Sequence, residues 1–556
     1  MNADRPAATS HPTVSDVVAD VCAAHTGMVF GLMGNGNAFF ISNLTRRGVD
    51  YISARHEAGT VAMADAYHRA SGRVAVATTT YGAGFTNALT PLAEAVRARI
   101  PMVLVVGDAP TTGPRPWDID QAMVAAGLGV PMLTVGAATA SRVTEDAWAT
   151  AVRDLTPVIV AIPYDLASEP AAAQEADVSG PPAAVVPVND DDVARVARLV
   201  AAARRPLIVA GRGAVLADAG PALRSVGDKL GALFATSVMA RNVFDSAWDL
   251  GVAGGFARRA PIELMRRADV LLVVGASLNT FQARYGSLFG EATTVIQVDA
   301  LPAATNARVD EFVCADAGTF ARALDAALGS AGGATWRDRH PEVADGTLHR
   351  DLPADEFAAD GRLNPIAVAE RLDGVLPANR TIVQDGGHFI GWAPGYCTAP
   401  DPRAMMLVGT AYQTIGLGLP AAVGAAAARP DRTTVLVSGD GGALMALADL
   451  DTAVHNIASG IVIVFNDAAY GAELHQYAAR GLDEKAMLIQ EADFAALGRA
   501  LGADGVKVRA LADLEVLRRW VADGARGLFV LDVAVSPLIV ADYMRESMAG
   551  ILAAQT

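Results

Sequence analysis

Two aspartates lie at the ends of two predicted neighbouring strands in the last third of the chain. Asp440 stands in SGDGG directly after the apolar run TTVLV, and Asp467 follows the apolar run IVIVF. The stretch between the two runs, ALMALADLDTAVHN, has the apolar spacing of a helix. In a right-handed strand-helix-strand unit, the carboxyl ends of neighbouring parallel strands lie about 5 Å apart. The spacing therefore predicts that the two carboxylates converge.

Converging carboxylates beside bare glycines repel each other and repel phosphate, unless a hard divalent cation lies between them. Gly441 and Gly442 let the backbone approach an anion, and a helix predicted from about Ala443 directs its positive end to the same place. These features indicate a diphosphate bridged to Mg²⁺ by the two aspartates. The remaining ligands would be phosphate oxygens, water and a backbone carbonyl, most simply that of Ala469.

A GDGG stretch is also compatible with two other local structures. One is a tight turn whose aspartate caps the following helix, and from GDGG alone this alternative stays open. The other is a dinucleotide-binding turn. Leu444 stands where the third glycine of GxGxxG is expected, and an aspartate inside a pyrophosphate turn is unfavourable without a metal.

Composition excludes several classes of partner. The formal net charge of -16 and the absence of a Lys/Arg cluster argue against nucleic acid or an anionic membrane as a partner. No apolar run approaches the roughly 20 residues of a membrane span, and the polar N-terminal stretch does not resemble a signal peptide, so we expect a cytoplasmic protein. Cys22, Cys314 and Cys397 form no CxxC pair, which indicates neither a disulfide framework nor a zinc site.

The pattern of predicted elements indicates an α/β fold. Short Val- and Ile-rich runs alternate with longer Ala-rich stretches of helical character, as in parallel sheets covered by helices on both faces. The chain of 556 residues is predicted to form three doubly wound domains with mainly parallel sheets, at residues 11–172, 190–330 and 360–545. Stretches at 168–187 and 329–346 break the alternation and are predicted to be linkers.

The pairing of GDGG with FNDAAYG at this spacing resembles the diphosphate and metal motif of thiamine-diphosphate-dependent enzymes. The resemblance is to the branch that includes acetolactate synthase, pyruvate oxidase and benzaldehyde lyase. It covers nearly the whole chain and implies pyrimidine-binding, central and diphosphate-binding domains in that order. It also implies thiamine diphosphate and Mg²⁺ as cofactors. The metal ligands would be Asp440, Asp467 and Ala469, and the diphosphate would lie near Gly439, Gly441, Gly442, Tyr470 and Gly471.

One departure from the family pattern is visible in the metal motif. Family members commonly have NN where this chain has ND, so Asp467 stands in the position of the usual asparagine. A carboxylate in that position still suits Mg²⁺, because hard cations prefer charged oxygen ligands. We therefore expect the metal site to be retained.

The segment RHEAGTVAMADAY resembles the RHE segment of the family. The resemblance implies that Glu57 donates a proton to the pyrimidine nitrogen of the cofactor, whereas His56 has no catalytic role. Without the resemblance, a glutamate at the start of a helix is more often a dipole partner or a cap. The following stretch TYGAGFTN resembles the family's glycine turn, which implies a cofactor pocket shaped by Gly82, Ala83, Gly84 and Asn87.

Two more stretches resemble cofactor-binding segments of the family. YQTIGLGLPAAVGA resembles the stretch that holds the cofactor bent, with Ile415 as the apolar wedge and the Gln413 carbonyl as the partner of the cofactor's amino group. Ile415 alone would pass for an ordinary core residue. QDGGHF resembles a diphosphate-side loop, with Gly387 and His388 as cofactor-binding candidates. The predicted substrate pocket consists of Asn35, Gly36, Tyr81, Trp117, Ala472 and Glu473.

The resemblance implies an enzyme that forms or cleaves carbon-carbon bonds. The favoured prediction is an acetolactate synthase-like carboligase or lyase, which transfers an acyl anion from a 2-oxo acid or similar carbonyl donor to an acceptor. The short Ala472 leaves room for a large donor or a second substrate. The alternatives are a 2-oxo acid decarboxylase, a hydrolase of 1,2-diones and, less favoured, a catalytically silent scaffold subunit.

Two further expectations concern FAD and assembly. GASLNTFQARYG replaces the RFDDR-like segment of the flavin-bearing synthases, which argues against FAD. The family also implies a homodimer or homotetramer, in which the pyrimidine domain of one subunit meets the diphosphate domain of another. Each active site would then lie at a subunit interface and act on small-molecule carbonyl substrates.

Overall fold

The computed structural model describes residues 11–172, 186–329, 336–349 and 353–555. Most of the linker predicted at 168–187 lies outside the described residues, as do positions 330–335 of the linker predicted at 329–346. Within the described chain, three sheets of six strands each are present, and their strands pair only in parallel.

The first sheet covers the N-terminal part of the chain. Its strands are β1 (Met28–Gly31), β2 (Asp50–Ser53), β3 (Ala75–Thr79), β4 (Met102–Asp108), β5 (Met132–Thr134) and β6 (Pro157–Pro163). Their spatial order is β2-β1-β3-β4-β6-β5. The chain reverses its direction of travel between β1 and β3, and such a switch point is where doubly wound sheets bind ligands.

The second sheet has a different order, with its switch point between the first and fourth of its strands. The strands are β7 (Pro206–Ala210), β8 (Leu233–Thr236), β9 (Asp249–Val252), β10 (Val270–Val274), β11 (Thr294–Asp299) and β12 (Glu311–Cys314). They are arranged as β12-β11-β10-β7-β8-β9, which is the order of dinucleotide-binding sheets.

The third sheet repeats the order of the first. Its strands are β13 (Arg380–Gln384), β14 (Met405–Leu407), β15 (Thr433–Gly439), β16 (Ser459–Asn466), β17 (Asp504–Val508) and β18 (Gly527–Ala534). The order β14-β13-β15-β16-β18-β17 places the switch point between β13 and β15. The predicted fold class, three doubly wound α/β domains, is confirmed, whereas the exact domain boundaries stay predictions.

Helices connect the strands of all three sheets. In the first part of the chain they are α1 (Val14–His25), α2 (Ala38–Arg46), α3 (Glu57–Ser71), α4 (Ala83–Asn87), α5 (Leu89–Arg97), α6 (Gln121–Leu128), α7 (Ala140–Asp154), α8 (Asp190–Ala201), α9 (Arg212–Leu216), α10 (Gly220–Leu230), α11 (Arg259–Met265) and α12 (Ala317–Ala327). They continue as α13 (Pro341–Ala344), α14 (Pro365–Leu372), α15 (Trp392–Tyr396), α16 (Gly418–Ala428), α17 (Asp440–Met445), α18 (Ala448–Asn456), α19 (Gly471–Tyr477), α20 (Phe494–Leu501), α21 (Leu514–Ala522) and α22 (Asp542–Gln555). None of the described helices is long and apolar enough to cross a membrane.

One helix prediction is wrong in its extent. The single helix expected from about Ala443 to residue 456 is two helices, because the helical conformation is interrupted between α17 and α18. The first of them begins at Asp440 itself, so the aspartate opens the helix. Apolar spacing continues across the break, which is why periodicity did not reveal it.

The described chain forms two compact units. Unit 1 is drawn from Met1–Ala184, Val408–Pro430 and Leu444–Ala458, and unit 2 from Val185–Leu407, Asp431–Ala443 and Ser459–Thr556. Unit 1 thus contains the first sheet with α16 and α18, and unit 2 contains the second and third sheets.

Unit 1 buries α3 on nearly every side. Gly424 of α16 lies so close that an added Cβ would be 2.0 Å from the Met63 carbonyl oxygen of α3. Only glycine fits there, because interiors have no free volume for an added methyl group at this separation. The Ala- and Gly-rich composition of both helices follows from this close packing.

A buried network of three charged residues joins α3 to α5 in unit 1. Arg69 forms ion pairs with Asp65 and with Glu94, the latter at 3.2 Å, and all three side chains are at most 4% exposed. The second oxygen of Glu94 accepts a hydrogen bond from the Tyr412 backbone at 2.7 Å. Glu94 therefore links a buried arginine to the turn that precedes α16.

Glu94→Ala is expected to destabilise the fold by about 3 kcal/mol, because removing one partner of a buried ion pair leaves the other charge uncompensated. Asp146→Ala is the control. It breaks the exposed 3.1 Å pair of Asp146 with Arg142, and its expected cost is below about 1 kcal/mol. Urea unfolding of both variants measures the difference, and equal costs would contradict the assignment.

Candidate active site

Asp440 and Asp467 belong to adjacent strands of the third sheet. β15 and β16 are parallel neighbours that pair Gly439 with Phe465, so the two aspartates follow the same edge of the sheet. The structure thereby brings the side chains together, as their spacing predicted.

Asp440 is 3% exposed and is bound by the backbone. Its two oxygens accept hydrogen bonds from the Gly441 amide at 2.9 Å and from the Ala468 amide at 2.8 Å. Burial raises the pKa of Asp440 to about 6, although these amides act in the opposite direction. The side chain thus caps the start of its own helix and also holds the loop after β16, whereas its role as a metal ligand stays a prediction.

Asp467 is half-buried and accepts a hydrogen bond from the Ala469 amide at 3.2 Å. Burial, followed by the charge of Asp440, raises the pKa of Asp467 to about 7, with Arg362 acting in the opposite direction. Two coupled carboxylates of this kind favour a shared proton or a cation. No group of three or more His, Cys, Asp or Glu side chains in the described chain could hold a metal, so backbone and phosphate oxygens would complete the coordination.

The loop after β16 has an unusual backbone. Ala468 has a φ of 59°, in the left-handed region that residues with a Cβ rarely adopt. Hydrogen bonds from the Tyr470 amide to the Met487 carbonyl and from the Ile489 amide to the Ala468 carbonyl hold the loop. The carbonyl of Ala469, the predicted metal ligand, takes part in neither bond.

The glycines of the predicted diphosphate cradle are required by close contacts. A Cβ on Gly442 would lie 2.8 Å from Asp385 Oδ2, and one on Gly471 would lie 2.8 Å from Asp467 Oδ2. A Cβ on Gly439 would collide with the Phe389 ring, and one on Gly441 would collide with the Tyr470 ring. The backbone is therefore bare where an anion would approach.

Asp385 was missed by sequence reasoning, although it follows an apolar strand in QDGGHF much as Asp440 does in SGDGG. It is fully buried at the switch point after β13. Its oxygens accept hydrogen bonds from the Gly386 amide at 2.8 Å and from the Ser438 hydroxyl at 3.3 Å. Asp385 therefore joins the ends of β13 and β15, the two strands at the switch point of the third sheet.

His388 lies beside this edge and is tied to the C-terminal segment. Its Nε2 accepts a hydrogen bond from the Ala541 amide at 3.0 Å, and the Tyr543 hydroxyl donates to the carbonyls of His388 and Gly387. Burial, with the ring of His475 at 4.5 Å, lowers the pKa of His388 to about 3. His388 is therefore neutral, as the acceptor bond at Nε2 requires.

Glu57 opens α3 in unit 1, at the end of a short loop after β2. The Asn87 side chain donates a hydrogen bond to Glu57 Oε2 at 2.9 Å. A Cβ on Gly84 would lie 3.2 Å from Glu57 Oε1, so the lack of a side chain at Gly84 leaves space beside that oxygen. His56 caps the helix, since its Nδ1 accepts a hydrogen bond from the Ala58 amide at 3.2 Å. Three predicted pyrimidine-side residues are thus in one place.

Asp449 of α18 positions the segment that carries Glu57, and sequence reasoning missed it. It is 3% exposed and accepts hydrogen bonds from the Arg55 amide at 2.9 Å and from the Thr452 hydroxyl at 3.1 Å. A Cβ on Gly59 would lie 2.4 Å from its Oδ2. Burial raises the pKa of Asp449 above its ordinary value.

Gln121 positions the predicted glycine turn and was also missed. It is 3% exposed, and its Oε1 accepts a hydrogen bond from the Gly82 amide at 2.7 Å. Its amide group donates to the Gly107 carbonyl at 2.9 Å and to Asp108 at 3.1 Å. Gly82 has a φ of 59° and precedes α4, so Gln121 sets the start of the helix that carries Asn87.

The predicted cofactor-bending stretch also belongs to unit 1. Gln413 has a φ of 62°, and the Thr414 amide donates to the Gly409 carbonyl at 2.9 Å. The neighbouring Tyr412 amide is held by the buried Glu94. Ile415 is half-buried. Hydrogen bonds within the chain therefore hold this turn.

The predicted substrate-pocket residues divide between the two units. In unit 1, Gly36 is buried, and a Cβ there would lie 2.7 Å from the Tyr81 ring, whereas Asn35 and Trp117 are exposed. In unit 2, Ala472 packs against the apolar core and Glu473 is exposed at the start of α19. Gly36 and Tyr81 are therefore in contact at the switch point of the first sheet.

Three family models match successive parts of the chain. They are the N-terminal thiamine pyrophosphate binding domain at residues 12–128, the central domain of thiamine pyrophosphate enzymes at 193–324 and the C-terminal binding domain at 385–533. Together these ranges cover more than half of the chain.

Similar proteins include an acetolactate synthase large subunit of Parasynechococcus marenigrum, 29% identical over 85% of this chain and 78% of that protein. A protein of Pseudomonas aeruginosa described as "Probable 2-ketoarginine decarboxylase" is 29% identical over 88% of both chains. Among solved structures, benzoylformate decarboxylase from Polynucleobacter necessarius has a TM-score of 0.80 at 21% identity, covering 95% of this chain and 99% of that one. The last likeness is one of fold.

The stability of the metal-free protein is expected to fall as pH rises from about 4 through the folded pKa values of Asp440, about 6, and Asp467, about 7, and to level off above them. Both carboxyls have a pKa near 3.8 when unfolded, so the folded chain binds their protons more tightly. Ionisation in the folded state is therefore unfavourable and costs on the order of 1 kcal/mol for each unit of pH. Asp467→Asn is expected to flatten this dependence, since it removes one of the coupled charges.

Urea unfolding in chelator between about pH 5.5 and about pH 8 measures the effect. Asp146→Asn, in an exposed surface pair, is the control and keeps the wild-type profile. A profile that is the same in wild type and Asp467→Asn would show that the two carboxylates do not interact.

Proposed function

We propose a function for this protein from the premise that the chain belongs to the thiamine pyrophosphate enzyme family. It is a thiamine-diphosphate-dependent enzyme that forms or cleaves carbon-carbon bonds. The proposed activity is that of an acetolactate synthase-like carboligase or lyase, which takes an acyl unit from a 2-oxo acid or similar donor and transfers it to an acceptor. The proposed location is the cytoplasm.

The observation that carries the proposal is the pair formed by Asp440 and Asp467. The charge of Asp440 raises the electrostatic cost of ionising Asp467, burial raises that of Asp440, and the donors to Asp440 are backbone amides. The available ligands are oxygens, which suits Mg²⁺ rather than a soft metal. The bare backbone at Gly441 and Gly442 suits a diphosphate. The residues present therefore fit a metal-bound diphosphate.

Glu57 is proposed to hold and move the proton at the pyrimidine end. When bound, thiamine diphosphate supplies a carbon nucleophile that attacks carbonyl groups. The Asn87 amide donates to Glu57 Oε2, so Oε1, next to Gly84, would be the oxygen available to the pyrimidine nitrogen. Asp449 and Gln121 would fix the two segments that bring Glu57 and Asn87 together.

The runner-up activity is decarboxylation of a 2-oxo acid, or hydrolysis of a 1,2-dione, with the same cofactor. One similar protein is named a synthase and another a decarboxylase, so the family leaves both outcomes open. Incubation with a panel of 2-oxo acids, with and without aldehyde acceptors, tests the choice. A ligated product in the mass spectrum supports the carboligase, and a free aldehyde alone supports the decarboxylase.

Glu57→Gln is expected to lower turnover by at least about a hundredfold, because the amide cannot supply the proton. Cofactor affinity should stay within about tenfold of wild type, as judged by the rise in melting temperature on adding thiamine diphosphate and Mg²⁺. Glu263→Gln, an exposed residue of α11 that pairs with Arg266, is the control. Full activity in Glu57→Gln would remove Glu57 from the mechanism.

The protein is also proposed to be a homodimer or homotetramer in which each site takes Glu57 from one protomer and the aspartates from its partner. Inactive Glu57→Gln and Asp440→Ala chains, co-refolded or co-expressed, should then regain about a quarter of wild-type activity, because half of the sites in mixed dimers are intact. Each variant alone stays inactive. If the mixture also stays inactive although mixed dimers are isolated, the sites are not shared between protomers.

A further inference from the structure

A group of aromatic side chains surrounds one arginine at the carboxyl edge of the first sheet. The Arg115 guanidinium lies 4.2 Å from the centre of the Tyr81 ring, 4.6 Å from that of Tyr164 and 5.5 Å from that of Trp117. These residues follow β3, β4 and β6, and sequence reasoning identified only two of them, Tyr81 and Trp117. Arginine between aromatic faces is stabilised as a cation and loses part of its hydration.

Asp118 fixes the orientation of this guanidinium. Its oxygens accept hydrogen bonds from Arg115 Nε at 2.9 Å and Nη2 at 2.8 Å, and a third from the Arg115 backbone amide at 2.8 Å. The Asp118 side chain is only 2% exposed, whereas that of Arg115 is 17% exposed. Hydrogen bonding to Arg115 also keeps the pKa of Asp118 below its usual range, so the carboxylate is ionised.

The ion pair between Arg115 and Asp118 engages only part of the guanidinium. Asp118 uses Nε and Nη2, and Nη1 lies outside this two-bond contact. Arginine can serve two carboxylates at once, as Arg69 does in this chain. The Tyr81 side chain also interacts with this guanidinium, so Asp118 and Tyr81 together fix its orientation. A guanidinium oriented in this way beside aromatic rings suits a planar anionic group.

The group also has a defined place relative to the proposed proton donor. The Trp117 carbonyl oxygen would lie 3.4 Å from a Cβ on Gly82, at the start of the turn into α4. The far end of α4 carries Asn87, which binds Glu57. Trp117, which is 62% exposed, therefore borders the start of the same glycine turn whose helix carries Asn87.

We propose that Arg115 binds a second anionic group, at the end of the substrate remote from the reacting carbonyl. The substrate class is an oxo acid or aldehyde acceptor that carries a distal carboxylate or a similar acid group, with Trp117 and Tyr164 packing along its chain. This inference rests on the proposed function for the reacting end of the substrate. Asp118 positions Arg115, and the aromatic rings exclude water from the contact.

Binding of unreactive probes to the enzyme in thiamine diphosphate and Mg²⁺ tests the proposal. Glutarate carries two carboxylates and pentanoate one, at the same chain length. Wild type is expected to bind glutarate at least about tenfold more tightly than pentanoate, by calorimetry or by quenching of tryptophan fluorescence. Equal affinities for the two probes would overturn the proposal without any variant.

Arg115→Met is expected to remove the preference for glutarate while leaving pentanoate binding within about twofold. Arg115→Lys keeps the charge but loses the bidentate geometry of the guanidinium, so a reduced preference for glutarate is expected. This variant keeps the proposal testable if Arg115→Met fails to fold. Arg142→Met, at an exposed arginine, is the control. If Arg115 only fastens its loop, the variants melt at lower temperature and keep the preference, which also overturns the proposal.

The rise in melting temperature with thiamine diphosphate and Mg²⁺ separates this proposal from the proposed function. Wild type and Arg115→Met should show the same rise, because Arg115 is assigned to the substrate. No rise in wild type would refute the cofactor assignment, whatever the probes show. A rise in both proteins with no preference for glutarate would refute the role of Arg115 alone.

Discussion

The repulsion between Asp440 and Asp467 is the constraint on which the rest of the site depends. Two carboxylates at the ends of adjacent parallel strands cost free energy unless a cation or a proton lies between them. The fold tolerates this cost because backbone amides hold both side chains, and because the strained loop at Ala468 aligns them. In the proposed site, a magnesium-bound diphosphate would turn the same repulsion into affinity.

Buried polar side chains hold the other loops and turns of the predicted site by hydrogen bonds. Asp385 joins two strand ends, Asp449 holds the segment before Glu57, Gln121 holds the glycine turn, and Glu94 holds the turn before α16. Each is nearly inaccessible to solvent and reaches a segment distant in sequence. Buried polar groups that satisfy one another in this way favour a single arrangement of the loops, which preorganises the site.

The fold class and the convergence of the two aspartates could be predicted, because both depend on local patterns: strand runs, helical spacing and the geometry of a parallel crossover. Asp449, Gln121 and Arg115 could not, whereas Asp385 follows an apolar strand much as Asp440 does and carried a signal in the sequence. Asp449 and Gln121 act on backbone distant in sequence, and Arg115 acts through rings from two other loops, so no spacing pattern marks them. The break between α17 and α18 was missed because apolar spacing continues across it.

The most direct test of the central claim is the distance between the metal and the phosphates. Mn²⁺ replaces Mg²⁺ in oxygen sites and broadens the ³¹P resonances of a diphosphate bound to the same ion. With wild-type protein, both phosphate resonances of thiamine diphosphate should broaden on adding Mn²⁺ at a one-to-one ratio, and Asp440→Ala should abolish the protein-dependent part. Broadening that is unchanged in Asp440→Ala would show that the two aspartates do not hold the metal.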